Sequence, residues 1–294
     1  MTNLVLTYTI EKEQCLREFL LENNISRKTL TRIKFDKDGS IKVNDKEENV
    51  RYILKNGDKV TITLPSEKFS EHVRFIEGKL DIIYEDEYFL VVNKPANLPS
   101  IPSRNEEDAS LLEIVNTYFH DNNYVTIPHI VTRLDKNTTG LVLIAKHRHI
   151  HALFGKIDIN KFYLALTKGK VADQVIEANI KREADSIITR CVVEDGDYAK
   201  TQAWLEKYDE KNDVSLVKLK LFTGRTHQIR VHMSYLGHPL LGDELYGGNK
   251  DLIARQALHC YNLQFKHPIT QNEISLEVPL VEDIRIITDS IGIY

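Results

Sequence analysis

The stretch Thr132-Arg133-Leu134-Asp135-Lys136-Asn137-Thr138-Thr139-Gly140-Leu141-Val142-Leu143-Ile144-Ala145-Lys146 decides how this chain is read. Asp135 stands between two cations, Arg133 and Lys136, and turn formers follow it before five consecutive apolar residues. A run that short, bounded in this way, has the length of a fully buried strand. The carboxylate therefore sits in a loop fastened to a rigid element, where functional groups are often carried. Flanking cations favour its charged form, which a nucleophile or a general base requires. A solvated Arg-Asp-Lys cluster at a strand entry has the same local composition. This segment alone does not separate the two.

Outward from it, five other segments hold chemistry-bearing residues. They are Val91-Val92-Asn93-Lys94-Pro95-Ala96-Asn97-Leu98-Pro99-Ser100 and Lys161-Phe162-Tyr163-Leu164-Ala165-Leu166. Next come Gly224-Arg225-Thr226-His227-Gln228-Ile229-Arg230-Val231-His232, Gly237-His238-Pro239-Leu240-Leu241-Gly242-Asp243 and Leu258-His259-Cys260-Tyr261.

Residue spacing gives each a physical reading. Ile229, Met233 and Leu236 lie at i, i+4 and i+7, which predicts a helix over residues 226–236 with that stripe buried. Arg230 then falls on another face, beside His227 and Ser234, either as partner to a buried carboxylate or in a surface salt bridge. Tyr163 sits in a strand opposite in facing to Leu164, by period two, as a core aromatic or a stacking surface. His227 and His232 are five apart, off the i, i+4 spacing that puts two metal ligands on one helix face, so no metal site is expected.

Taken with the Asp135 segment, these five resemble, in the same order, the motifs of the RluA family of pseudouridine synthases. The family's aspartate signature is His-Arg-Leu-Asp, two variable residues, Thr-Ser-Gly and an apolar strand. Here Thr132 stands where His is usual and Thr139 where Ser is usual, while the Asp is kept. The resemblance spans nearly all of residues 80–277. It implies an α+β fold with a mixed-sheet catalytic domain, an isomerase acting on uridines in RNA, and neither cofactor nor metal. It implies that Asp135 is catalytic, that Arg230 pairs with it, and that Tyr163 packs against the target base and assists proton removal. A uridine inside a stem must be extruded to be reached. Arg133 matches the family Arg that fills the vacated stack, which a planar guanidinium suits. Arg225 fits a phosphate or a local structural contact, and His227 an RNA or structural contact. Asp135 attacks the anomeric carbon or acts as a base on the ribose; the sequence leaves both routes open.

At 294 residues, two domains are the natural expectation. No apolar stretch approaches a membrane span, no secretory signal is visible, and the three cysteines have no metal-type spacing. A cytoplasmic, monomeric protein is expected. Net charge is −4, yet six basic residues oppose two acidic ones between Ile25 and Lys42. One basic face on an acidic protein points to docking on nucleic acid, or to a solvated helix surface.

That face lies in an expected first module, residues 11–65. Leu16, Phe19 and Leu20 predict one helix, and Ser26 can cap a second carrying Arg27, Lys28 and Arg32. Two short helices and a small hairpin resemble the alpha-L RNA-binding fold. The resemblance implies that Arg27, Lys28 and Arg32 grip phosphates. Residues 66–79, polar and charged, suit a linker, and residues 80–291 form the catalytic domain, with a further helix over 110–118. Family members carrying such a module mostly act on large-subunit ribosomal RNA, which makes that RNA the expected target, with transfer RNA second. A non-catalytic RNA-binding protein on the same fold and a hydrolase using paired carboxylates are the competing classes.

Overall fold

The computed structural model describes residues 3–102 and 108–292. The first module begins earlier than the sequence pattern suggests. Leu4 and Leu6 are buried and Val5 and Thr7 exposed, so the strand Val5–Thr9 presents one apolar edge to a core. It pairs antiparallel with Lys59–Thr63, Val5 opposite Thr63, in a four-stranded sheet completed by Ser40–Val43 and Lys46–Glu47. A boundary at residue 11 would cut this strand away. The alternation was present in the letters, but only its partner 50 residues on makes it a strand. The two helices are Leu16–Glu22 and Arg27–Phe35. Ser26 caps the second, its hydroxyl accepting from the Thr29 amide at 3.1 Å.

The larger part is built on a ten-stranded mixed sheet. Its strands run in the order Gln174–Glu177, Lys200–Asp209, Val214–Leu221, Asn160–Lys168, Leu258–Lys266, Thr139–Ala145, Phe89–Lys94 and Ile82–Glu85, with Glu273–Glu277 and His129–Ile130 added at the side. Thr139–Ala145 is buried along its whole length. It pairs antiparallel with Phe89–Lys94 on one side and parallel with Leu258–Lys266 on the other, through Thr139 opposite His259 and Gly140 opposite Cys260. At that parallel junction Gly140 has φ +112°, and a Cβ there would fall 2.1 Å from the Cys260 carbonyl oxygen. Any other residue would push apart the two strands that carry the centre of the sheet.

Helix Leu111–Asp121 starts at a capping box formed by Ser110 and Glu113, and Gln228–Tyr235 occupies most of the range its apolar stripe predicts. Two helices escape the sequence pattern, Arg148–Phe154 and Glu282–Ser290. The first is only seven residues long, too short for its periodicity to stand out.

Residues 66–79 have no regular secondary structure, but they are fastened rather than free. The Phe69 and Phe75 rings meet edge to face at 5.0 Å, and Gly78 packs against Ile114. Glu67 has a fully buried carboxylate. It accepts from the His129 ring at 2.8 Å, from the Arg148 side chain, and pairs with Arg32 at 3.6 Å. Arg32 belongs to the first module, whereas His129 and Arg148 belong to the larger part, so one carboxylate ties the two together. Its partners lie far off in sequence, which is why composition alone reads the segment as a tether.

Burial alone would raise the Glu67 carboxyl, but the His129 hydrogen bond, the charges of His147 and His129, and Arg148 outweigh it and hold it at about 2, against an ordinary 4.5. A depressed folded value contributes stability above pH 4.5 and loses it as pH falls through 2. Glu67→Gln is therefore expected to destabilise the protein at pH 7 by about 1–3 kcal/mol, since it removes the buried charge on which Arg32, His129 and Arg148 converge. It should also flatten the acid limb of the stability curve below pH 4.5. Urea unfolding at pH 7 and pH 3 measures both; an unchanged pH dependence would remove Glu67 from this role.

Candidate active site

The Asp135 loop is held from three sides. Its entry is bonded to the buried strand, the Val131 and Thr132 amides donating to the Leu143 carbonyl at 2.9 and 3.2 Å. The Thr132 hydroxyl accepts in return from the Leu143 amide at 2.9 Å, so this residue, where His is usual, works as a local tie. The Thr138 amide closes the turn onto the Asp135 carbonyl at 3.0 Å. From the first segment, Ser100 Oγ donates to the Leu134 carbonyl at 2.8 Å and accepts from its amide at 3.0 Å. From the far end of the chain, Arg255 donates to the Asn137 carbonyl at 2.9 Å and is itself gripped by both oxygens of Asp283 at 2.7 Å.

Lys94 completes the clamp from beneath. Its ammonium donates to the carbonyls of Pro95, Leu98 and Lys136 at 2.8, 2.7 and 3.0 Å, and the side chain is buried. Burial pushes this lysine down to about 7, and the nearby Asp135 charge offsets only part of that. The lysine thus ties the backbone just after Asp135 to the Pro95–Leu98 turn with its donors.

Asp135 is left half-buried at the edge of a cavity of about 580 Å³, which Arg133, Lys161, Tyr163, Arg225, His227 and Arg230 also line. Arg230 comes from Gln228–Tyr235 and reaches Asp135 Oδ2 with Nη1 at 3.5 Å. Its tighter partner is Asp243: Nε and Nη2 grip both carboxylate oxygens at 2.7 and 2.8 Å, and the Tyr246 ring lies 4.8 Å beneath the guanidinium. Asp243 stood at the end of a quoted segment, but nothing in the letters links it to a helix 13 residues earlier. A buried acid closing a glycine-proline turn was the available signal.

His227 sits at the helix entry with φ +58°, and its Nε2 lies 3.9 Å from Asp135 Oδ2 while Nδ1 contacts the Tyr246 hydroxyl at 2.8 Å. Burial lowers its basicity; Asp135 pulls it up and Arg230 pushes it down, with a net lowering. Tyr163 is buried, and burial, then Cys260 and the Asp135 charge, raise its phenol well above the ordinary value of 10. A phenol this hard to ionise stays neutral and presents an aromatic face.

The other sequence-derived residues are distributed differently. Arg133 is exposed at the cavity mouth. Arg225 lines the rim, yet its Nε donates to the Tyr198 carbonyl at 3.0 Å and Nη1 lies 3.9 Å from Asp197, in keeping with a local structural contact. Arg27, Lys28 and Arg32 lie on the first module, away from the cavity lining. Arg27 and Lys28 are exposed, whereas Arg32 turns inward to Asp36, Glu67 and the Ser66 carbonyl. Among the described residues no group of three or more His, Cys, Asp or Glu is placed to hold a metal, and no helix is long and apolar enough to cross a membrane.

Comparison with known proteins places this chain in a family. A family model described as RNA pseudouridylate synthase matches residues 88–235. The Bacillus subtilis (strain 168) protein named uncharacterized RNA pseudouridine synthase YjbO is 41% identical over 275 residues, covering 92% of this chain and 96% of that one. Ribosomal large subunit pseudouridine synthase D of Neisseria meningitidis serogroup A is 35% identical over 291 residues, covering 92% of this chain and 75% of the relative. Among solved structures, human RNA pseudouridylate synthase domain containing 1 superposes with a TM-score of 0.56 at 26% identity, over 73% of this chain and 95% of that one. The chain belongs to the RNA pseudouridylate synthases, in the RluA family that its motifs resemble. It is an isomerase that converts uridine to pseudouridine in RNA.

Proposed function

We propose that Asp135 is the carboxylate that opens the glycosidic bond, and that the RNA acted on is large-subunit ribosomal RNA. The observation that carries the first part is the placement of Asp135: a half-buried acid on a triply clamped loop, facing a cavity and an arginine already neutralised by Asp243. Because Arg230 is matched by Asp243, it orients Asp135 at 3.5 Å without burying it in a closed ion pair, and the carboxylate stays available.

The reaction breaks the bond from ribose C1′ to uracil N1 and forms one from C1′ to C5. Asp135 acts either as nucleophile at C1′ or as base on the ribose; both need it charged. The leaving uracil carries the electron pair of the broken bond, turns within the cavity, and attacks through C5. Attack of C5 on C1′ displaces Asp135 in the nucleophilic route, and in the base route the ribose recovers the proton it gave up. The C5 proton then departs and N1 takes one up, so the product is an isomer of the substrate. Tyr163 packs its neutral ring against the base during that turn, and its raised phenol keeps it protonated. Arg133, exposed at the mouth, is placed to occupy the stack the extruded base leaves.

The ribosomal target is supported by the relatives named ribosomal large subunit pseudouridine synthase D. A match over 92% of this chain is too long to be confined to the catalytic part and takes in the basic module. Arg27 and Lys28 are its exposed candidates for phosphate contact. Pseudouridine mapping of cellular RNA with and without the gene should show sites lost from large-subunit RNA; loss confined to transfer RNA rejects this target. In parallel, Arg27→Ala with Lys28→Ala should weaken binding to large-subunit RNA. It should also lower the salt slope by about one unit per lost phosphate contact. An unchanged slope in titrations from low to moderate salt would release both residues from that role.

A further inference from the structure

The strands that carry Lys161 and Tyr163 into the cavity show a second surface on their reverse face. Cross-strand partners share a face of a sheet. Phe162 lies opposite Lys220, and Lys220 opposite Gln202; Leu164 lies opposite Lys218, and Lys218 opposite Trp204. Each of the two central lysines therefore has a ring beside it on one neighbouring strand. The Lys218 ammonium stands 5.6 Å from the Phe162 ring and 5.8 Å from Trp204, and Lys220 stands 5.4 Å from Phe162 and 5.1 Å from Phe222. Phe222 is 52% exposed. Lys200 also approaches Phe222, at 5.4 Å, but Glu177 holds it at 2.7 Å. Glu206 and Glu277 bear on the Tyr261 end of the patch. Lys218, which also hydrogen-bonds Tyr261, and Lys220 supply the ammonium groups of this face that Glu177 does not hold.

We propose that this face is a platform for single-stranded RNA flanking the target uridine, with Lys218 and Lys220 on phosphates and Phe222 and Trp204 stacking on bases. The proposal rests on RNA being the substrate. Two observations select that occupant. Ammonium groups lying among rings match a chain of alternating phosphates and bases, the pattern of sequence-tolerant single-strand binding. The face is also continuous with the cavity: Leu221 lines it, Phe222 follows on the platform, and the chain returns through Thr223 to Gly224 and Arg225 on the cavity rim. A strand leaving the cavity past Arg225 meets Phe222 first. A duplex cannot use the rings, because its bases are already stacked.

Trp204 is the sole tryptophan, so its fluorescence reports this face alone. The full-length protein is titrated with an oligoadenylate of about 12 nucleotides, a length within the range that sequence-tolerant sites accept, and with a duplex RNA of equal length. Quenching of Trp204 by the single strand and not by the duplex is expected. Lys218→Glu with Lys220→Glu should weaken the single-strand affinity about tenfold, and Phe222→Ser about fivefold or more, the loss of one stacked base. Turnover of a minimal stem-loop substrate by these variants should match the parent, which separates failure of the platform from failure of the catalytic assignment. No quenching at saturation overturns the proposal, as does equal quenching by duplex. Variants that lower the melting temperature with affinity unchanged would make the ladder a structural cross-strand packing, and likewise overturn it. Photo-crosslinking of the unmutated protein keeps the test open if a variant misfolds: crosslinks to 4-thiouridine in the strand should map to the Trp204 and Phe222 peptides, and their absence there counts against the platform.

Discussion

Asp135→Asn is expected to lower isomerisation by at least about a thousandfold, with melting temperature and RNA affinity close to those of the parent. The geometry makes that separation sharp. The amide keeps the size of the side chain and can still accept from Arg230 Nη1, now 3.5 Å from Oδ2. Arg230 keeps its bidentate hold on Asp243, so no buried charge is orphaned by the change. The loop is fixed through backbone atoms, by Ser100, Lys94 and Arg255, and none of these bonds involves the Asp135 side chain. What disappears is the negative charge, which both the nucleophilic and the base route require. Release of tritium from RNA labelled at uridine C5 measures turnover, and a mobility shift measures binding. Turnover within tenfold of the parent by a pure, folded variant would sink the assignment.

The parts of this site that sequence reasoning reached are those encoded locally. Asp135 could be singled out because its loop and the buried strand after it are contiguous and match the family's motif, and Arg230 because the stripe Ile229, Met233, Leu236 sets it on another face beside His227 and Ser234, where the resemblance pairs it with Asp135. Arrangements that depend on contacts distant in sequence were not visible. Asp243 becomes Arg230's main partner only when the turn after the helix folds back over it, at 2.7 Å. Lys94 was quoted as part of a segment, but its donation to the Lys136 carbonyl spans 42 residues. Arg32 shows the opposite failure. Helical spacing groups it with Arg27 and Lys28, yet the buried Glu67 draws it inward, where it joins the modules instead of presenting its charge to RNA. Residue type and period predict a face; the partner that claims a side chain from that face comes from elsewhere in the chain.

Arg230→Met is expected to cost stability and turnover together, and the two losses can be pulled apart. The Asp243 side chain is 1% exposed, and Arg230 supplies both of its charge-assisted hydrogen bonds from the helix. Removing one partner of such a pair leaves a buried charge uncompensated, at about 3–5 kcal/mol. Asp135 loses its orienting cation at the same time. Turnover should therefore fall even at temperatures where the variant remains folded. Adding Asp243→Leu removes the orphaned charge and replaces the pair with apolar groups, a change that is often neutral in buried pairs. The double variant should accordingly recover most of the melting temperature, while its turnover stays as low as that of Arg230→Met. Arg230→Lys should behave differently again: one ammonium cannot hold both oxygens of Asp243 and also reach Asp135, so it should retain part of the stability and little of the turnover. Recovery of activity along with stability in the double variant would mean that Arg230 serves the fold alone. In that case Asp135 is oriented by its clamped loop without help from the helix.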